Sequence, residues 1–112
     1  AVLRRTGKHR PDDRLSFDGM VIRPDARIVL LDGRPVKLPP KEFDLLLKLA
    51  RNEHMVFSRE QLLNTVWGFD YFGDTRTVDT HIKSLREHLG SYRSFIETVW
   101  GVGYKFEQQK ND

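Results

Sequence analysis

A proline pair, Pro39-Pro40, divides this sequence into two regimes, and that division constrains the fold more than any other feature. Before it, from Leu15 onward, short apolar runs alternate with turn signals. Leu15 to Phe17 is followed by Asp18-Gly19, Met20 to Ile22 by Pro24-Asp25, and Arg27 to Leu31 by Asp32-Gly33, with Val36 to Leu38 closing the series. Runs this short cannot carry helices and read as four strands joined by tight turns. Asp32-Gly33 is the strongest hairpin signal, because glycine takes positive φ without steric cost. After the prolines the period changes to that of helices. Pro40 suits a first helical position, where its missing N–H has no partner to lose.

The first helix follows from Phe43, Leu46, Leu47 and Ala50 at the i, i+3, i+4, i+7 spacing, widened by Leu45 and Leu49, and runs to about Asn52. Met55 to Phe57 is expected as a short extended link. Ser58 and Gln61 form a capping box, with Phe57 able to staple against Leu62. The second helix starts there, buries Leu62, Leu63, Val66 and Trp67, and stops at Gly68. A third helix over about 75–89 carries the stripe Val78, Ile82, Leu85 and Leu89, which covers one narrow side, and Gly90 ends it. Phe95 to Trp100 and Tyr104 to Phe106, around Gly101 and Gly103, read as a glycine-turned hairpin. The predicted class is α+β: an amino-terminal four-stranded antiparallel sheet, three helices and a carboxy-terminal β-hairpin over about 15–108. That is the order of a winged helix-turn-helix. Residues 1–14, polar and without apolar period, read as a basic tether, and 109–112 as a tail.

Composition excludes several alternatives. The 112 residues fit one domain, and the absence of cysteine removes disulfides, thiolate metal sites and a cysteine nucleophile. No apolar run is long enough for a membrane span, and the basic start lacks the apolar segment of a signal peptide, so the cytoplasm is the expected location. His9, His54, His81 and His88 lack metal-ligand spacing, so neither a metal nor a cofactor is expected. Ser58 is better explained as a cap than as a nucleophile, and no acid, base and nucleophile set is visible, which disfavours a small hydrolase. The formal charge of +3 lies wholly in residues 1–14; the other 98 residues hold 14 basic and 14 acidic side chains. Binding to a polyanion must therefore rest on local clustering.

The third helix has such a cluster. At 100° per residue, Arg76, Thr80, Lys83, Ser84 and Glu87 lie opposite the apolar stripe, flanked by Thr77 and His81 on one side and by Asp79 and Arg86 on the other. Arginine, lysine, threonine, serine and histidine can meet phosphates or base edges in a major groove. The same face also reads as a solvated surface with an Asp79–Lys83 pair at i, i+4. The hairpin tip, Trp100-Gly101-Val102-Gly103, can sit beside a duplex with Thr98 and Lys105 toward its backbone. Trp100, Val102, Tyr104 and Phe106 also suit packing, most clearly the last two. A protein-interaction module with weak DNA binding stays open on these residues alone.

Four segments in register carry a resemblance. Pro40-Lys41-Glu42-Phe43-Asp44-Leu45-Leu46, Phe57-Ser58-Arg59-Glu60-Gln61-Leu62-Leu63 with Val66-Trp67-Gly68, Arg76 to Arg86, and Glu97-Thr98-Val99-Trp100-Gly101-Val102-Gly103-Tyr104-Lys105-Phe106 resemble the effector domain of the OmpR/PhoB class of bacterial response regulators. The resemblance covers nearly all of residues 15–107. It implies a transcription regulator that binds double-stranded promoter DNA as a dimer, with a phospho-accepting receiver domain, absent from these residues, elsewhere in the full-length protein. It places Arg76, His81, Lys83 and Arg86 at phosphates, Thr80 and Ser84 toward bases, and Thr98 and Trp100 on a wing over about 95–107, while Thr77 and Lys105 join the expected DNA-binding set from their places on the helix flank and the hairpin. It also makes the loop Phe69, Asp70, Tyr71, Phe72, Gly73 and Asp74 a contact for RNA polymerase, with local packing of Tyr71 and Phe72 as the rival reading.

Overall fold

A computed structural model describes residues 14–108, so the expected tether, Arg14 excepted, and the tail lie outside the described residues. The four strands expected before the prolines form one antiparallel sheet in sequence order, β1 (Leu15–Phe17), β2 (Met20–Arg23), β3 (Ile28–Leu31) and β4 (Arg34–Val36). Asp32 and Gly33 both take left-handed conformations, at φ 53° and 83°, which is what a two-residue turn needs to match the strand twist. The register aligns Leu15, Ile22, Val29 and Val36 across the sheet, so period two delivers one apolar face. Ile22 and Val29 are fully buried on it.

Helix α1 (Pro40–Arg51) begins at the second proline and buries Phe43, Leu45, Leu46, Leu49 and Ala50. It also buries Glu42, whose Oε1 lies 2.7 Å from Nδ1 of His88. A carboxylate out of water needs such a partner. Phe57, expected in an extended link, and Ser58, expected as the helix cap, form a short strand β5 (Phe57–Ser58) that joins the final hairpin. A two-residue strand has no period to detect, which is why pattern reading misses it. Helix α2 (Arg59–Leu62) starts with the expected capping box: the Gln61 N–H donates to Ser58 Oγ (3.0 Å) and the Ser58 N–H to Gln61 Oε1 (2.8 Å). It continues as a wider π-type turn over Leu63–Trp67, closed by the Gly68 N–H on Leu63 O. Lys41 Nζ, 3.2 Å from Val66 O, donates to a carbonyl near the end of that turn.

Helix α3 (Arg76–Leu89) buries Val78, Ile82, Leu85 and Leu89, the stripe read from the sequence. A 3-10 turn over Gly90–Phe95 then leads to β6 (Ile96–Val99) and β7 (Gly103–Phe106). The hairpin is thus shorter at its start than expected, because Phe95 turns inward as core, and it is three-stranded, in the order β5-β7-β6. Phe106 stacks its ring between Phe17 (centroids 4.6 Å apart) and Phe95 (5.8 Å), which joins the first sheet to the last.

Candidate nucleic-acid interface

With its apolar stripe buried, α3 turns Arg76, Thr80, Lys83 and Glu87 to solvent. Thr77, His81, Ser84 and Arg86 are half-buried along its flanks. The helix start is held by Asp74: Oδ1 accepts the Arg76 backbone N–H (3.0 Å), and Oδ2 accepts Arg76 Nε (3.0 Å). The Arg76 backbone N–H, followed by its guanidinium, holds the Asp74 carboxyl below the ordinary carboxylate range. Arg76 remains largely exposed beside that pair. Thr80 Oγ1 donates to Arg76 O, and Lys83 has no ion-pair partner among the described residues.

The Asp79–Lys83 pair that a purely solvated helix would use does not form. Asp79 instead takes bonds from two other elements, Arg59 Nε of α2 at 2.9 Å and the Tyr104 hydroxyl of β7 at 2.6 Å, both on Oδ1. Burial, then the bond to Asp79, raises the Tyr104 hydroxyl above its ordinary pKa, and the same carboxylate raises Arg59. On the same side of α3, Arg86 donates from Nε and Nη2 to Ile96 O (3.2 and 2.8 Å) and from Nη2 to Thr98 Oγ1 (2.7 Å). Burial pulls its pKa down, yet an arginine keeps its charge. Arg86 and Thr98 are therefore joined to each other, and Arg86 and Asp79 tie the hairpin stem to the helix. Sequence reasoning passed over Arg59 and the Tyr104 hydroxyl as site groups and placed Asp74 in the polymerase-contact loop, not at the start of α3, since nothing local marks these bonds.

His81 lies between α3 and α2. Its Nδ1 is 2.8 Å from Thr77 O, a pure acceptor, so Nδ1 donates to that carbonyl. The ring meets Trp67 edge-on at 5.0 Å. Trp67 also packs Tyr71 (6.2 Å), whose ring lies so close to Gly73 that a Cβ there would fall 2.0 Å from it. The loop before α3 accordingly splits: Tyr71 packs on Trp67, whereas Phe69 is 85% and Phe72 100% exposed, with Asp70 also in solvent. At the far side, Lys105 Nζ sits 3.5 Å from Glu107 and 3.9 Å from Glu97, and Trp100 projects into solvent from the β6–β7 turn.

A helix presented by its hydrogen-bonding face, backed by two helices and flanked by a small antiparallel sheet, defines a winged helix-turn-helix domain. Residues 33–106 match the family described as "Transcriptional regulatory protein, C terminal", and the chain belongs to that family. Among its relatives, an uncharacterised transcriptional regulatory protein of Bacillus subtilis, YclJ, is 54% identical over 114 residues, covering 96% of this chain. The chain spans about half the length of that relative (50%). The DNA-binding domain of RstA from Klebsiella pneumoniae, solved in complex with the RstA box, superposes with a TM-score of 0.78 at 34% identity, over 87% of this chain and 99% of that one. DrrB of Thermotoga maritima, a response regulator described as an OmpR/PhoB homologue, gives 0.77 at 38% identity, over 84% of this chain and 44% of its own. The fold and family expected from the residues are those found.

Proposed function

We propose that this domain binds double-stranded promoter DNA sequence-selectively, as the effector of a two-component response regulator acting in the bacterial cytoplasm, and that it does so as a dimer with α3 in the major groove. The carrying observation is the outward face of α3, where Arg76 and Thr80 are exposed and Lys83 has no ion-pair partner among the described residues, in a fold whose relative RstA was solved on DNA. In this reading Arg76, Lys83 and the remaining Nη1 group of Arg86 meet phosphates, and Thr77, Thr80 and Ser84 face bases. His81 meets a phosphate from the flank of α3. Thr98, Trp100 and Lys105 place the wing on the adjacent minor groove or backbone. Residues 15–108 form the binding unit and 1–14 the tether to a receiver domain.

Replacing Arg76 and Lys83 together by alanine removes two cations from the face without touching the core. Affinity is expected to fall by at least about a hundredfold, since hydrogen bonds to charged groups contribute about 1.5–3 kcal/mol each. The slope of log K against log salt should drop by about two, the sign of two lost phosphate contacts. Unchanged affinity and slope in a filter-binding salt series would remove α3 from the interface.

The exposed loop supports a second contact. Phe69 and Phe72 cover nothing, and two bare aromatic rings three residues apart suit a protein partner, RNA polymerase in a transcription regulator. The double change Phe69→Ala with Phe72→Ala is expected to leave DNA affinity within about twofold while lowering transcription from a responsive promoter by about tenfold, the scale of losing a small interface hot spot. In vitro transcription beside a DNA-binding titration separates the two roles.

A further inference from the structure

The wing tip is apolar, and its geometry is rigid. In the turn Val99-Trp100-Gly101-Val102 the Val102 N–H donates to Val99 O at 2.9 Å, and Gly101 at φ +81° occupies the position that a type II turn gives to glycine. Trp100 is 87% exposed and Val102 53%, so both rise from the turn without packing on the domain. Below them the stem is held on two sides. Arg86 fastens Ile96 and Thr98 to α3, and Gly103 lets β7 lie against β5 so closely that a Cβ would meet Phe57 O. Trp100 stands two residues beyond Thr98, no more than about 7 Å along an extended chain, so the tip begins a short reach from the point where Arg86 fastens the stem to α3.

Residues 99–103 hold no charge, and the nearest wing cation, Lys105, lies against Glu97 and Glu107. Such a tip has no cation to set against a phosphate and can offer one only the indole N–H and backbone N–H groups. It is suited to the other way that proteins use the minor groove, in which an apolar side chain enters between two base pairs, partly unstacks them and kinks the duplex. Indole offers a large flat face for this with only two side-chain torsions to fix. Resting on the DNA-binding reading above, we propose that Trp100, backed by Val102, is a minor-groove wedge that selects an easily unstacked pyrimidine–purine step, such as TA or CA/TG, beside the α3 site. Specificity at that step is then read through deformability and not through hydrogen bonds.

The test uses the 112-residue chain and a duplex selected by it from a random pool, with 2-aminopurine placed in turn at each step flanking the α3 footprint and end labels for energy transfer. The wild-type domain should raise 2-aminopurine fluorescence at one step and shorten the end-to-end distance. Trp100→Ala should abolish both and weaken binding about tenfold, the scale of one lost base–aromatic stack, with the salt slope unchanged. Trp100→Phe should keep most of the kink, while Trp100→Arg should recover affinity with a steeper salt slope and a straighter duplex. Selective binding by the wild type to a straight duplex with silent 2-aminopurine would overturn the wedge alone. If no duplex is preferred over a scrambled one, the DNA-binding reading falls and the wedge with it.

Discussion

Replacing Phe106 by alanine is expected to lower the stability of the domain by about 4 kcal/mol, the middle of the range for Phe→Ala in cores. The ring is fully buried, and it touches aromatic rings from two distant parts of the chain, Phe17 of β1 and Phe95 of the 3-10 turn. A cavity here cannot collapse easily, because its walls belong to the first sheet, the turn after α3 and the final hairpin, each held in its own hydrogen-bonded register. Domains of this size have only about 5–15 kcal/mol in hand, so between roughly a quarter and four-fifths of the margin goes. A urea titration should show the midpoint falling with the slope unchanged. A loss under about 1 kcal/mol would mean that the two sheets are less dependent on this ring than its contacts indicate.

Gly103→Ala should have the next largest effect, about 3 kcal/mol, the high end for overpacking. The added Cβ would fall 1.9 Å from Phe57 O, 2.8 Å from Phe57 C and 2.9 Å from Ser58 Cα, all backbone atoms that have no rotamer to yield with. The β5–β7 pairing must open, taking with it the stem that carries the wing. Amide exchange should accelerate at Phe57 and Tyr104 while the first sheet keeps its protection. Gly33→Ala is the contrast, since nothing lies within 4 Å of its Cβ position and only the left-handed φ of +83° opposes it. That strain is on the order of 1 kcal/mol. Equal losses at the two glycines would sink the steric account of Gly103.

The four strands, the start of α1 at Pro40, the capping box at Ser58 and the buried stripe of α3 were all legible, because each depends on residues within a few positions of one another. The candidate interface was legible in its outward residues and not in its supports. Nothing local distinguishes Arg59 from any other surface arginine, and the i, i+4 rule pointed Asp79 at Lys83 when the folded chain brought Arg59 and Tyr104 to it. Taken alone that face read more readily as a solvated surface, and it was the four segments in register, Arg76 to Arg86 among them, that indicated a DNA-binding family.

What the sequence determined by itself is therefore the kind and order of elements and which side of each is apolar, since backbone preference and hydrophobic period act along the chain. Tertiary structure alone decided that β5 joins the wing, that Glu42 finds His88, that Arg86 holds Ile96 and Thr98, and that Trp100 stands clear of the core. The physical reason is that apolar burial is non-directional and tolerates a pattern, whereas a hydrogen bond needs two particular groups within about 3 Å of each other. For residues 20 to 46 positions apart, only the folded chain sets that distance.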